Sequence, residues 1–308
     1  MNQFLGPLSF VFIMALAFTL KKVGFIQPDE SRVVNKLLMN LALPCTIIVT
    51  FASLRSTENL LQVCMFGFVA SLLPILVIYR MTTKMANYSR AVVMLNISGF
   101  NIGCFALPFI QLYFGNEGGV LATIFDTGNA LLVTGGSYVL TQYLLPEADG
   151  ERMTMKDVVR NLSQSVPFVT YIIMFILAFL GWKLPHAVNQ ILTPIGAATP
   201  FLAMFMLGLL FNPHVELSQL KIALGLTALR LCWGVLFSVT AYYWLPFDLL
   251  TRQVLSVVVF APASALAPIY SMKLKADVQL SAFTNSLTII SGVAIMSTLS
   301  ILYTGGLN

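Results

Sequence analysis

Asp126 and Arg230 are ionisable residues set deep inside apolar stretches, ATIFDTGNALL and KIALGLTALRLCWGVLF. A charged group at the centre of an apolar helix costs at least ~2.5–3.5 kcal/mol on insertion scales, so it needs a partner, water or a ligand. Arg230 lies about eleven residues inside its run, or ~16 Å at 1.5 Å per residue. Asn129 follows Asp126 by one helical turn. Three readings stay open at this point: a structural salt bridge between the two, an Arg230 that attracts a substrate carboxylate, or an Asp126 that carries a coupling proton or Na⁺.

A second kind of costly choice is the helix breaker. SGFNIGCFALPFIQLY carries Asn101, Gly103 and Pro108 in the middle of an apolar run. Proline removes a backbone donor and glycine loosens a helix. Broken backbone inside lipid leaves N–H and C=O groups unpaired, which is tolerated where they line a cavity or bind something. A half-helix that begins at a break aims its free N–H groups and positive dipole end inward, which suits an anion. Asn101 adds a donor and an acceptor, Gly103 allows close approach, and Pro108 shapes the break. The stretch FAPASALAP repeats the spacing: Phe100 and Pro108 match Phe260 and Pro268 at an offset of 160. By analogy Pro262, Ser264 and Pro268 shape the opposite side of the same site. An isolated proline would only kink a packed helix; the matched pair with Asn101 between points to a binding site.

These residues are positioned by a membrane protein. Hydrophobic residues make up 58% of the 308, charged residues only 9%, and the mean hydropathy is +0.86. A soluble domain carries roughly 25% charged residues. The net charge of +5 is spread singly or in pairs at the ends of apolar runs, a pattern that orients membrane helices and not one that binds nucleic acid. Apolar runs predict ten spans near 5–21, 37–54, 60–79, 91–113, 118–143, 166–183, 190–211, 219–244, 253–272 and 279–303. Alternating sides across ten spans puts thirteen Lys and Arg on one face and only Arg55, Lys183 and Arg252 on the other. By the positive-inside rule both termini face out and the 144–165 loop is cytoplasmic.

That loop divides the chain into 1–143, a linker at 144–165, and 166–308. Each half has five predicted spans, so a repeat must be inverted in the membrane. Pro44 in LALPCTIIVTF and Pro200 in AATPFLAMFML agree at nearly the same offset as the fourth and ninth spans. In the tenth span Thr284, Asn285 and Thr288 stand at helical spacing and match the depth of Asp126; such a stripe is either helix–helix glue or part of a polar network. Gln111 either lines the path or marks the membrane surface.

NKLLMNLALPCTIIVTFASL, SGFNIGCFALPF, ATPFLAMFMLGLLF, FAPASALAPIYSMKL and MSTLSILY together resemble the auxin efflux carrier family, over essentially the whole chain. The resemblance implies an all-α integral membrane fold of ten transmembrane helices in two inverted five-helix repeats, with helices four and nine broken and crossing near the midplane. It is similar to bacterial permeases for malonate and related organic acids, with a fold related to bile-acid sodium symporters. The implied function is a secondary transporter that passes a small organic anion by alternating access, in the inner membrane of a bacterium, with a homodimer as a candidate assembly. No cofactor is implied, and the coupling ion, H⁺ or Na⁺, stays open. One departure from symmetry stands out: Ala261 occupies the position that the repeat pairs with Asn101.

An intramembrane enzyme needs a nucleophile with a base or a metal cluster, and no span carries a histidine, an HExxH or a paired Asp motif. The chain also has no nucleotide-binding loop of Walker type. A sodium-coupled symporter of the bile-acid type and a non-transporting membrane sensor are the remaining alternatives.

Overall fold

A computed structural model describes residues 5–27, 30–52, 59–145, 152–182, 184–211, 213 and 217–305. These residues are helical, with no strand among them. In chain order the helices are α1 Leu5–Lys22, α2 Ser31–Phe51, α3 Leu60–Met81, α4 Asn87–Ile97, α5 Ile102–Leu144 and α6 Met155–Gln164. They continue with α7 Val166–Phe179, α8 His186–Leu210, α9 Gln219–Trp244, α10 Leu249–Val258, α11 Ala267–Lys273 and α12 Val278–Gly305. Six of these, α1, α2, α3, α8, α9 and α12, are long and apolar enough to cross a membrane; eight segments qualify when the bent pairs α4–α5 and α6–α7 each count as one. The protein is therefore an integral membrane protein, and its outward surface carries large apolar side chains such as Phe12, Leu61, Ile173 and Leu302.

Local chemistry explains where these helices begin. Asp248 caps α10, accepting hydrogen bonds from the Thr251 backbone at 3.1 Å and hydroxyl at 2.6 Å. Ser165 caps α7, whose second residue is Pro167. Thr154 and Asp157 form a reciprocal capping box at the start of α6. The linker expected at 144–165 thus holds a helix, bent 80° from α7, that buries only Val158 and Leu162. Its alternation of Met155, Val159, Lys156 and Arg160 reads as polar from composition alone, and the cap turns it into an amphipathic helix. Residues 146–151 of that linker, and the charges Arg55 and Lys183, lie outside the described residues.

Close packing depends on small residues. A Cβ at Gly67 would stand 2.1 Å from the Phe125 carbonyl oxygen, and one at Gly128 would stand 2.0 Å from that of Cys64. Only glycine lets α3 and α5 approach so closely, which places Asp126 and Asn129 against α3 and the break before α5.

The predicted break between the fourth and fifth spans is a single residue, Gly115, with φ 63 and ψ −163 inside α5. The break centred on Asn101 falls earlier than the prolines suggest. It occupies Ser98–Asn101, with Gly99 at φ 71, and Pro108 sits in the first turn of the helix that follows a wide-turn segment, Ile102–Ala106. Pro108 thus stands where the wide-turn segment passes into regular helix, and glycine makes the turn.

Candidate functional site

The two broken segments meet. The Asn101 N–H donates to the Pro262 carbonyl at 2.9 Å, joining the gap between α4 and α5 to the gap between α10 and α11. Each gap is held by a polar side chain from the long helix that follows it. Asn129 on α5 accepts from the Phe100 N–H at 2.9 Å and donates to the Phe100 carbonyl at 2.8 Å, as a neighbouring strand would. Its remaining bonds go to the Ser71 hydroxyl and the Asp126 carboxylate, both at 2.8 Å. On α12 the Thr288 hydroxyl accepts from the Ala263 N–H at 3.1 Å, and Asn285 reaches toward the Ser264 carbonyl at 3.5 Å.

Arg230 on α9 resolves one of the open readings. Its guanidinium donates to five carbonyls: Asn96 and Ile97 at 3.0 Å each, Gly99 at 2.6 Å, Ala261 at 3.2 Å and Pro262 at 3.1 Å. The first two are unpaired carbonyls at the end of α4, where the helix dipole is negative. The others belong to the unwound backbone on both sides of the crossing. The guanidinium also lies 4.9 Å from the centre of the Phe100 ring. Asp126 has separate partners, the Asn129 amide and the Tyr171 hydroxyl, both at 2.8 Å. The salt bridge between Asp126 and Arg230 does not form. A fork of fixed N–H donors matches a cluster of carbonyls better than one carboxylate two residue-layers away.

A cavity of about 420 Å³ lies against the crossing. Of the residues singled out in the sequence, it brings together Asn101, Gly103, Asp126 and Ser264. Pro108, Pro262, Pro268, Asn129, Asn285 and Arg230 stand behind its wall, and Gln111 is bonded to Thr50 at 2.9 Å, away from it. The Asn101 side chain is 7% exposed, and its Nδ2 has no hydrogen-bond partner. A buried amide donor without a partner is rare, because it forfeits the hydrogen bond it made to water. Here it stands at the start of a helix whose first N–H groups also lack intrahelical acceptors. Asn285 shows the same feature through Oδ1.

Sequence reasoning missed part of the lining. Tyr171, 3% exposed, sits in VPFVTYIIMF, where one tyrosine in an apolar run reads as a membrane-interface anchor. Asn35 and Asn40 on α2, and Gln164 and Ser165 at the α6–α7 bend, also line the cavity. These polar residues come from α2, the α6–α7 bend and α7 and carry no mutual spacing in sequence, so nothing but the fold brings them together.

Known proteins give this geometry a family. The family model described as membrane transport protein matches residues 6–302. The chain belongs to this family, of the auxin efflux carrier type. An uncharacterized transporter of Methanothermobacter thermautotrophicus is 25% identical over 280 residues, covering 89% of both chains. An uncharacterized transporter of Methanocaldococcus jannaschii is 25% identical over 219 residues, covering 66% of this chain and 67% of its own. At the crossing of this family member, Asn101 Nδ2 beside the cavity and Asn285 Oδ1 behind it are polar atoms left without a hydrogen-bond partner.

Proposed function

We propose that this chain is a secondary transporter that moves a small organic anion, a mono- or dicarboxylate, by alternating access, with the anion bound at the crossing of the two breaks. One observation carries the reading: the Asn101 side-chain amide, whose Nδ2 has no partner, stands beside the cavity at the start of α5, while its backbone N–H bonds the opposite break. A carboxylate placed there would accept from Asn101 Nδ2 and from the first N–H groups of α5.

The ten-span arrangement in two inverted repeats has physical support. Helix α5 runs for roughly 43 residues, ~65 Å if straight, twice the hydrocarbon thickness of a bilayer, and Gly115 divides it. The broken pair α10–α11 supplies another span. Exchanging the two halves maps the packing of α1 on α8 onto that of α7 on α2, and the packing of α3 on α5 onto that of α9 on α12; all four occur. The Pro44 and Pro200 helices lie against each other, and Thr46 meets Thr199 between them at 2.7 Å.

Orientation follows the charges, in a bacterial inner membrane with both termini outside. The cavity is lined by Asn35, Gln164 and Leu210, at helix ends on the face with thirteen Lys and Arg, so this conformer faces the cytoplasm. The test is Asn101→Ala. Its amide makes no internal bond, so stability should stay within about 0.5 kcal/mol, whereas carboxylate flux in proteoliposomes should disappear. Wild-type flux in that variant would remove the crossing as the site.

A further inference from the structure

Asp126 is the one charged side chain among the described residues lining the cavity. It is 8% exposed, and both carboxylate oxygens accept from neutral donors: Oδ1 from Asn129 and Oδ2 from Tyr171. The missing side chain of Gly103 opens the space in front of it; a Cβ there would lie 3.7 Å from Oδ2. The groups that face Asp126 can be named element by element. Helix α7 presents Tyr171, and the start of α5 presents Cys104. Helix α2 presents Leu43, α3 presents Ser71 by way of Asn129, and the α10–α11 gap contributes Ser264 to the same cavity. The cation nearest by contact is Arg230, which lies beyond Phe100 and Asn129 with its donors turned to carbonyls. Among the described residues no cation faces Asp126.

An anion at Asn101 would share a space of about 420 Å³ with this carboxylate, which puts the two charges within ~8 Å. At the effective dielectric of protein, repulsion at that distance weakens anion binding about 30-fold. Protonation removes the repulsion and converts Asp126 into a hydrogen-bond donor for the anion. We propose that Asp126 is a proton-binding site coupled to the anion site, so that one proton enters and leaves with each anion. This rests on the anion reading above. The proton comes from water on one side, resides on an Asp126 oxygen while the anion is bound, and returns to water on the other side. A monocarboxylate then crosses without net charge, driven by a pH gradient. By linkage, the anion raises the proton affinity of Asp126 by the same factor as the proton raises that of the anion.

The experiment titrates the purified protein with acetate, benzoate, malonate and succinate between about pH 7 and pH 9, where these acids are themselves ionised. Wild-type affinity for the bound acid should fall as pH rises above the midpoint of the empty site, by at most about tenfold per pH unit and about 30-fold in all, with no requirement for Na⁺. In Asp126→Asn the affinity should be flat with pH. Should that variant fail to fold, infrared difference spectra of the wild-type protein give the same information: adding the carboxylate at alkaline pH should produce a protonated-carboxyl band. Carboxylate binding that is flat with pH in the wild type, without that band, overturns the proton site and leaves the anion site standing. A pH dependence that survives in Asp126→Asn also overturns it. Binding of organic amines, with no response to any of the four acids at any pH, removes the anion reading and the proton site together.

Discussion

A single residue, Arg230, shows how a charge can be buried at a helix crossing without a counter-charge. Five carbonyl dipoles from two broken segments converge on one guanidinium; apart from that of Pro262, which also accepts from the Asn101 N–H, each would otherwise be an unpaired acceptor costing about 1–3 kcal/mol. Arg230→Ala should therefore destabilise the protein by at least about 3 kcal/mol, read as a lowered unfolding midpoint. Millimolar guanidinium ion should restore part of that loss, because the vacated space is lined by the same acceptors; an absence of rescue would mean that the side chain serves only as packing. Arg230→Lys keeps the charge but replaces a planar fork with a compact ammonium, so intermediate stability is expected. Exchanging the charges of Asp126 and Arg230 should leave a protein no more stable than the worse single variant, since each has its own partners. That both residues matter was legible in the sequence, because ionisable groups in apolar runs are expensive. Their partners were not. A carbonyl becomes an acceptor only where the chain unwinds, and the carbonyls of Asn96 to Gly99 lie more than 130 residues from Arg230.

At the scale of elements, the unwound segments are specified by a few side chains from the next long helix. Asn129 holds Phe100 through both backbone groups, so Asn129→Ala leaves the buried Phe100 N–H and the Asp126 Oδ1 without a hydrogen bond, while the Phe100 carbonyl keeps the Ile102 N–H. A cost of about 3 kcal/mol or more follows, together with loss of the ordered break, seen as faster amide exchange at Gly99–Asn101. The break at Ser98–Asn101 was legible as a cluster of Gly and Asn in an apolar run. Its position was misjudged toward Pro108, because proline both ends helices and begins them, and only the chain direction at the site tells which. The helix α6 was not legible inside 144–165, because its stability comes from the Thr154 and Asp157 cap and from two buried side chains. Its pH behaviour follows from that cap. The Thr154 hydroxyl, then the Thr154 N–H, hold the Asp157 carboxyl below the ordinary range for aspartate. A lowered folded-state pKa stabilises above the unfolded value and is lost as pH falls through the folded one. Amide protection of α6 should thus be constant near neutrality and decline below about pH 4, while Thr154→Ala lowers it at every pH.

On the inverted-repeat reading proposed above, the whole molecule combines two halves whose helix contacts correspond with one site whose polar groups do not. The scaffold contacts exchange under the swap of halves, but Asn101 and Asp126 come from the first half and are answered by Ala261 and by the weaker Asn285–Ser264 contact in the second. On the proposed mechanism an anion held mainly by one half is carried by movement of the crossing segments against α1, α2, α7 and α8, which pack on one another, α1 on α8 and α2 on both α7 and α8. Repeat symmetry then has a mechanical consequence. If the second conformer is the first with the two halves exchanged, the contacts that now seal the outer face, such as Gln111 to Thr50 at 2.9 Å, must open, and the space beside Asn35 and Asn40 must close. A cysteine at Asn40, in a version lacking the four native cysteines, should react with a membrane-impermeant maleimide in inside-out vesicles and not in right-side-out cells. A cysteine at Thr50 should react from the outside, and only when carboxylate and proton are supplied together. Reaction of the Asn40 site from outside would reverse the orientation read from the charges. Reaction of the Thr50 site without either ligand would show that the outer face opens on its own, and that the ligands do not set the balance between the two conformers.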